Sequence, residues 1–100
     1  MTVFDINNIK TKEDTVIEKP LVMLVDDEVE NLNVLRHLLE SKFQIITGVN
    51  GKEAIELIDN MKNPKKIQLI ISDQRMPELT GVEFLEIIAN KMPETIRIIL

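Results

Sequence analysis

Four short, mostly apolar runs, Leu21–Val25, Phe43–Thr47, Ile67–Ser72 and Ile96–Leu100, alternate with stretches whose apolar residues recur at helical spacing. This alternation restricts the fold more than any other feature of the chain. Runs with little polar alternation suit strands covered on both faces, as in parallel sheets. Between them, Val29, Leu32, Leu35 and Leu39, widened by Val34 and Leu38, mark one face of a first helix. Ala54, Ile55, Leu57, Ile58 and Met61 mark a second, ended by Asn63-Pro64, and Val82, Leu85, Ile88 and Ala89 a third, stopped by Met92-Pro93. Asn50-Gly51 predicts a turn over Gly48 to Gly51, and Met76 to Gly81 reads as a loop. The order predicts an α/β, doubly wound parallel sheet with right-handed crossovers and helices on both faces.

The chain has 100 residues, enough for one small domain. Residues 1–20 are polar and charged without a sustained period, and Pro20 resets the chain. We read them as a flexible leader or linker ahead of a domain over residues 21–100. With 44% hydrophobic residues but only three Phe and no Trp or Tyr, the core must be aliphatic, with Met23, Met61 and Met92 as filler. A net charge of −5 without a Lys/Arg stripe argues against nucleic-acid binding through this segment. Cysteine is absent, which excludes disulfides and thiolate metal sites. The first residues lack the basic and apolar regions of a signal peptide, and no apolar run approaches a membrane span. These features predict a cytoplasmic protein without a membrane partner.

Two of the runs end in acids. Asp26 and Asp27 follow Leu21–Val25, and Asp73 follows Ser72. If the two runs are neighbouring parallel strands, three carboxylates converge at the carboxyl edge of the sheet, where ligands bind in folds of this type. Like charges at that range repel, and a hard divalent cation with oxygen ligands, Mg²⁺, relieves the conflict. The plainer alternatives are that Asp27 caps the amino end of the first helix and Asp73 is a turn residue. Glu28 reads as a solvated first-turn acid, and His37, the sole histidine, as a surface or boundary side chain. Lys62, Lys65 and Lys66 read as a solubilising loop cluster.

The segment Leu21-Val22-Met23-Leu24-Val25-Asp26-Asp27-Glu28 resembles the first strand and acidic pair of response-regulator receiver domains. Ile70-Ile71-Ser72-Asp73-Gln74-Arg75-Met76-Pro77, followed by Gly81, is similar to their phosphoacceptor segment, and Asn50-Gly51-Lys52-Glu53-Ala54 to the start of their second helix. The resemblance runs from about Leu21 to Leu100 and implies a flavodoxin-like receiver fold lacking its last strand and last two helices. It further implies that Asp73 accepts a phosphoryl group from a histidine kinase, with Mg²⁺ held by Asp26, Asp27, Asp73 and the backbone carbonyl of Arg75. The chain would then be a two-component signalling module rather than an enzyme, acting on an output domain in the parent protein.

The family pattern also has a Ser or Thr after the fourth strand and a Lys after a fifth, and Leu100 precedes both; Lys19 and Lys91 are misplaced to substitute. A degenerate receiver-fold module for interaction or dimerisation, without phosphoryl transfer, is therefore the alternative. A haloacid-dehalogenase-like phosphatase fits less well, since Asp26-Asp27-Glu28 lacks the D-x-D spacing. Without a last helix, Leu21–Val25 and Ile67–Ile71 are expected to lose cover, and Ile96–Leu100 to form a bare edge that favours self-association. The sequence as given is therefore expected to be either a fragment of a longer protein or an oligomer that borrows cover from a partner; size-exclusion chromatography with light scattering showing a stable, monodisperse monomer contradicts the expectation.

Overall fold

The sheet is built outward from its most apolar strand. A computed structural model describes residues 18–100; the leader expected over residues 1–20 lies, up to residue 17, outside the described residues. Four parallel strands, β1 (Leu21–Val25), β2 (Gln44–Gly48), β3 (Ile67–Ser72) and β4 (Ile96–Ile99), lie in the order β2-β1-β3-β4. Helices α1 (Val29–Leu39), α2 (Gly51–Asn60) and α3 (Gly81–Lys91) connect them, and a short 3₁₀ turn, Pro64–Lys66, precedes β3. The sheet begins with β1; the chain then steps out to β2 and returns past β1 to β3. The direction of winding therefore reverses between the carboxyl ends of β1 and β3. No helix among the described residues is long and apolar enough to cross a membrane.

Alternation along β1 divides the core in two. Met23 and Val25 pack with Ala54 and Ile58 of α2, Ile67 and Ile70 of β3, and Phe84, Leu85 and Ile88 of α3. Val22 and Leu24 face the other way, onto Leu32 of α1, with Leu35, Leu39, Phe43 and Ile45 around them. Both faces of β1 are dry, which is why its sequence shows no polar alternation. Met23 and Met92 are buried and Met61 packs against the same cluster, the filler role read from their type.

Several sequence expectations need correction. Val34 and Leu38, assigned to the buried stripe of the first helix, are 58% and 68% exposed, and Val29 is exposed too. The contacts of α1 are with β1 and β2, so a narrow seam of Leu32, Leu35 and Leu39 is all that finds a partner. The turn expected over Gly48 to Gly51 is shorter: Gly48 ends β2, and Gly51 is already helical. Asn50 serves instead as an N-cap, its Oδ1 accepting the Glu53 N–H at 2.7 Å. Nor does β1 lose its cover, since Val22 to Val25 are all buried, as are Ile67 and Ile70. The shortfall lies further along the α1 side of the sheet. There Leu69 and Ile71 are half-buried, and their register neighbours on β4, Ile96 and Ile98, are 62% and 41% exposed. The Leu100 N–H extends the edge ladder to the Ser72 carbonyl at 2.9 Å.

The narrow seam of α1 has a measurable consequence. Leu32→Ala is expected to lower stability by about 2–5 kcal/mol, whereas Leu38→Ala, on the same helix but exposed, should stay within about 0.5 kcal/mol of the parent. Urea denaturation of both variants checks the contrast.

Candidate functional site

The ladders of the sheet run one residue past the strands and fix the acids. The Asp26 N–H donates to the Gly48 carbonyl at 3.1 Å, and the Asp73 N–H to the Val25 carbonyl at 2.9 Å. As the sequence predicts, the carboxyl ends of β1 and β3 bring Asp26, Asp27 and Asp73 together. One carboxylate oxygen from each lies within 4.8 Å of the other two. Asp26 is buried, Asp73 half-buried and Asp27 exposed. Each contributes hard, anionic oxygen atoms, a donor set that suits a divalent cation such as Mg²⁺.

Asp27 does not cap α1. The N-cap is Glu28, without a side-chain capping bond. The neighbouring acid takes up the local donors: Asp26 Oδ1 accepts the Glu28 N–H at 2.9 Å, and Asp26 Oδ2 accepts from Asn31 Nδ2 at 3.2 Å. The same Asn31 nitrogen donates to Glu28 Oε1 at 3.0 Å. The peptide geometry that aims Asp26 at the helix start leaves the Asp27 carboxylate to the cluster, where among the described residues it accepts no hydrogen bond. The positive end of α1 lies beside these acids and lessens their mutual repulsion.

The loop after Asp73 is fastened at both ends. Met76 is buried in the core, and the hydroxyl of Ser72, itself fully buried, donates to the Asp73 carbonyl at 2.8 Å. Gln74 holds the start of α3 twice, its carbonyl accepting the Gly81 N–H at 3.0 Å and its Oε1 the Val82 N–H at 2.9 Å. Thr80 and Glu83 close a capping box on the same helix. Between these anchors the chain makes a tight turn at Glu78, which has φ of 70°, with the Leu79 N–H donating to the Pro77 carbonyl at 2.7 Å. Arg75 projects its side chain into solvent, and among the described residues no donor reaches its backbone carbonyl.

The remaining charged candidates lie elsewhere. His37 is exposed, with Nδ1 3.9 Å from Glu40. Lys91 pairs with Asp59 at 3.1 Å, and Lys19 Nζ donates to the Glu40 carbonyl at 3.3 Å. Lys62, Lys65 and Lys66 are exposed, with Lys66 3.4 Å from Glu18. A cleft of about 400 Å³ opens at the opposite edge of the sheet, between Lys65, Ile67, Met92 and Thr95. It holds no comparable group of reactive side chains. Sequence reasoning missed Asn31 and Gln74. The available signal was an amide side chain close behind each acidic segment, Asn31 in the first turn of α1 and Gln74 directly after Asp73, where a donor or an acceptor is needed.

The family model of the response regulator receiver domain matches residues 22–100. The hydrogenase transcriptional regulatory protein HoxA of Cupriavidus necator is 39% identical over 79 residues, which is 79% of this chain and 16% of that protein. The two-component response regulator ORR3 of Oryza sativa subsp. indica is 36% identical over 69 residues, 68% of this chain and 50% of that protein. The chain thus spans half or less of these two curated relatives. Among solved structures, a response regulator receiver protein from Pseudomonas putida superposes with a TM-score of 0.73 at 26% identity, over 85% of this chain and 69% of that one.

Gly81 sets the closest approach in the site. A Cβ there would run into the Asp73 carbonyl oxygen and sit 2.9 Å from Ile99 Cδ1 and 3.0 Å from the Gln74 Cα. Two of these three obstacles are backbone, which cannot swing aside. Gly81→Ala is therefore expected to lower stability by about 1–3 kcal/mol, seen as a lower urea midpoint with an unchanged slope.

Proposed function

The chain belongs to the response regulator receiver domain family, and from that premise we propose that Asp73 accepts a phosphoryl group from a histidine kinase in the presence of Mg²⁺. Receiver domains are signalling modules of two-component systems, and this function needs a nucleophile rather than a turnover site. On this reading a carboxylate oxygen of Asp73 attacks phosphorus, the bond from phosphorus to the donor imidazole breaks with its electron pair going to nitrogen, and an acyl phosphate forms. Asp73 suits the role because it is half-buried, is held by the ladder through its own N–H, and has a carboxylate that among the described residues accepts no hydrogen bond.

The residues present fit the metal. Asp26, Asp27 and Asp73, with the undonated carbonyl of Arg75, would hold Mg²⁺, which completes its shell with water. When bound, the cation supplies positive charge against the oxygens of the transferred group. The one observation that carries the proposal is the convergence of three carboxylates within 4.8 Å at the winding reversal of the sheet. The partners on this reading are a histidine kinase as donor and an output domain as recipient of the signal, in the cytoplasm. A second reading, an interaction module without phosphoryl transfer, draws on the exposed apolar residues Ile96 and Ile98 of β4.

The test is incubation with acetyl phosphate and Mg²⁺, read by intact mass. One phosphoryl adduct is expected, lost in Asp73→Asn and lost when EDTA removes the metal. No adduct on the parent chain, together with no calorimetric Mg²⁺ binding, would overturn the proposal in favour of the second reading.

A further inference from the structure

Asp26 is the acid of the site that is withdrawn from water, with 5% of its surface exposed. A buried carboxylate with two rotatable bonds to its backbone presents its oxygens wherever its donors hold them. Here the donors are the Glu28 N–H on Oδ1 and the Asn31 carboxamide on Oδ2. The orientation of that carboxamide follows from chemistry, because both of its partners, Asp26 and Glu28, are carboxylates that only accept. The nitrogen of Asn31 must face them, and one NH₂ group supplies a hydrogen to each.

We infer that Asn31 is a positioning residue for the acidic site, setting its Mg²⁺ affinity by fixing the Asp26 carboxylate and tethering Glu28 at the rim. The inference rests on the metal reading given under the proposed function. Groups that hydrogen-bond to ligating carboxylates commonly tune metal affinity by one to two orders of magnitude. Asn31 is also the side chain that ties two acids of the segment together without adding charge. Asn31 and Glu28 are exposed, so water reaches the Glu28 carboxylate after substitution, and Asp26 keeps the Glu28 N–H. Little folding stability is therefore at stake, but water does not restore the fixed direction of Asp26.

The experiment measures MgCl₂ binding to the chain by titration calorimetry, with Asn31→Leu and Asn31→Gln beside the parent. Leu matches Asn in size, lacks the donor, and is the better helix former, so a loss of binding in Asn31→Leu cannot be ascribed to a weaker helix. The expected result is affinity reduced about tenfold in Asn31→Leu, with an undiminished urea midpoint in EDTA, and partial recovery in Asn31→Gln, which regains the carboxamide. Asn31→Leu binding as tightly as the parent overturns the inference, as does an equal loss in both variants. A parent chain that binds no Mg²⁺ overturns instead the metal reading on which the inference stands.

Discussion

The parallel pairing of β1 with β3 is the contact on which the rest of this molecule depends. It joins the two apolar cores through the two faces of β1. It also carries Asp26 and Asp27 to the same edge as Asp73, from a distant part of the chain, and so creates the repulsion that the site has to manage. Two unit charges of like sign about 4 Å apart near a protein surface repel by roughly 4 kcal/mol. The end of a helix offsets only about 0.3–1 kcal/mol of that. The positive end of α1 is thus a partial remedy, and the larger share falls to solvent and to the donors on Asp26, with a cation added on the proposed reading.

The division of labour within the acidic pair follows from burial. Asp26 accepts two fixed hydrogen bonds and faces the start of α1, whereas Asp27 is exposed and Asp73 half-buried. Asp26 acts as the structural wall of the site, and the other two acids are its open surface. On the far side, Gln74 and Gly81 keep the segment after Asp73 pressed against α3. Only a glycine admits the backbone approach at that point.

Much of this was legible in the sequence. The strand and helix order, the parallel sheet and the convergence of the three acids all follow from where apolar runs end and which residues follow them. What the sequence hid was which of several suitable residues takes each role. Asp26 and Asp27 are both plausible caps by type, and only the direction of the chain leaving β1 decides that Asp26 binds the helix start. Val34 and Leu38 fit a helical stripe by spacing, yet a stripe is buried only as far as the sheet beneath it extends. Asn50 signals a turn and a cap equally well, and the position of α2 selects the cap. The cover of β1 was misjudged because α1, α2 and α3 suffice to enclose a central strand, which leaves the deficit to the edge at Ile96 and Ile98.

The attachment of Asp26 and Asp73 to the ladders has a kinetic side. Loops open locally at little free-energy cost, while the central strands of a sheet open only in larger cooperative units. Asp26 donates its N–H to Gly48 and Asp73 to Val25, so the backbone under both acids keeps the pace of the sheet. Arg75, Pro77 and Glu78 belong to the faster class. The site therefore combines a floor that opens only with the sheet and a rim that opens at less cost, and the spacing of the acids does not depend on that rim.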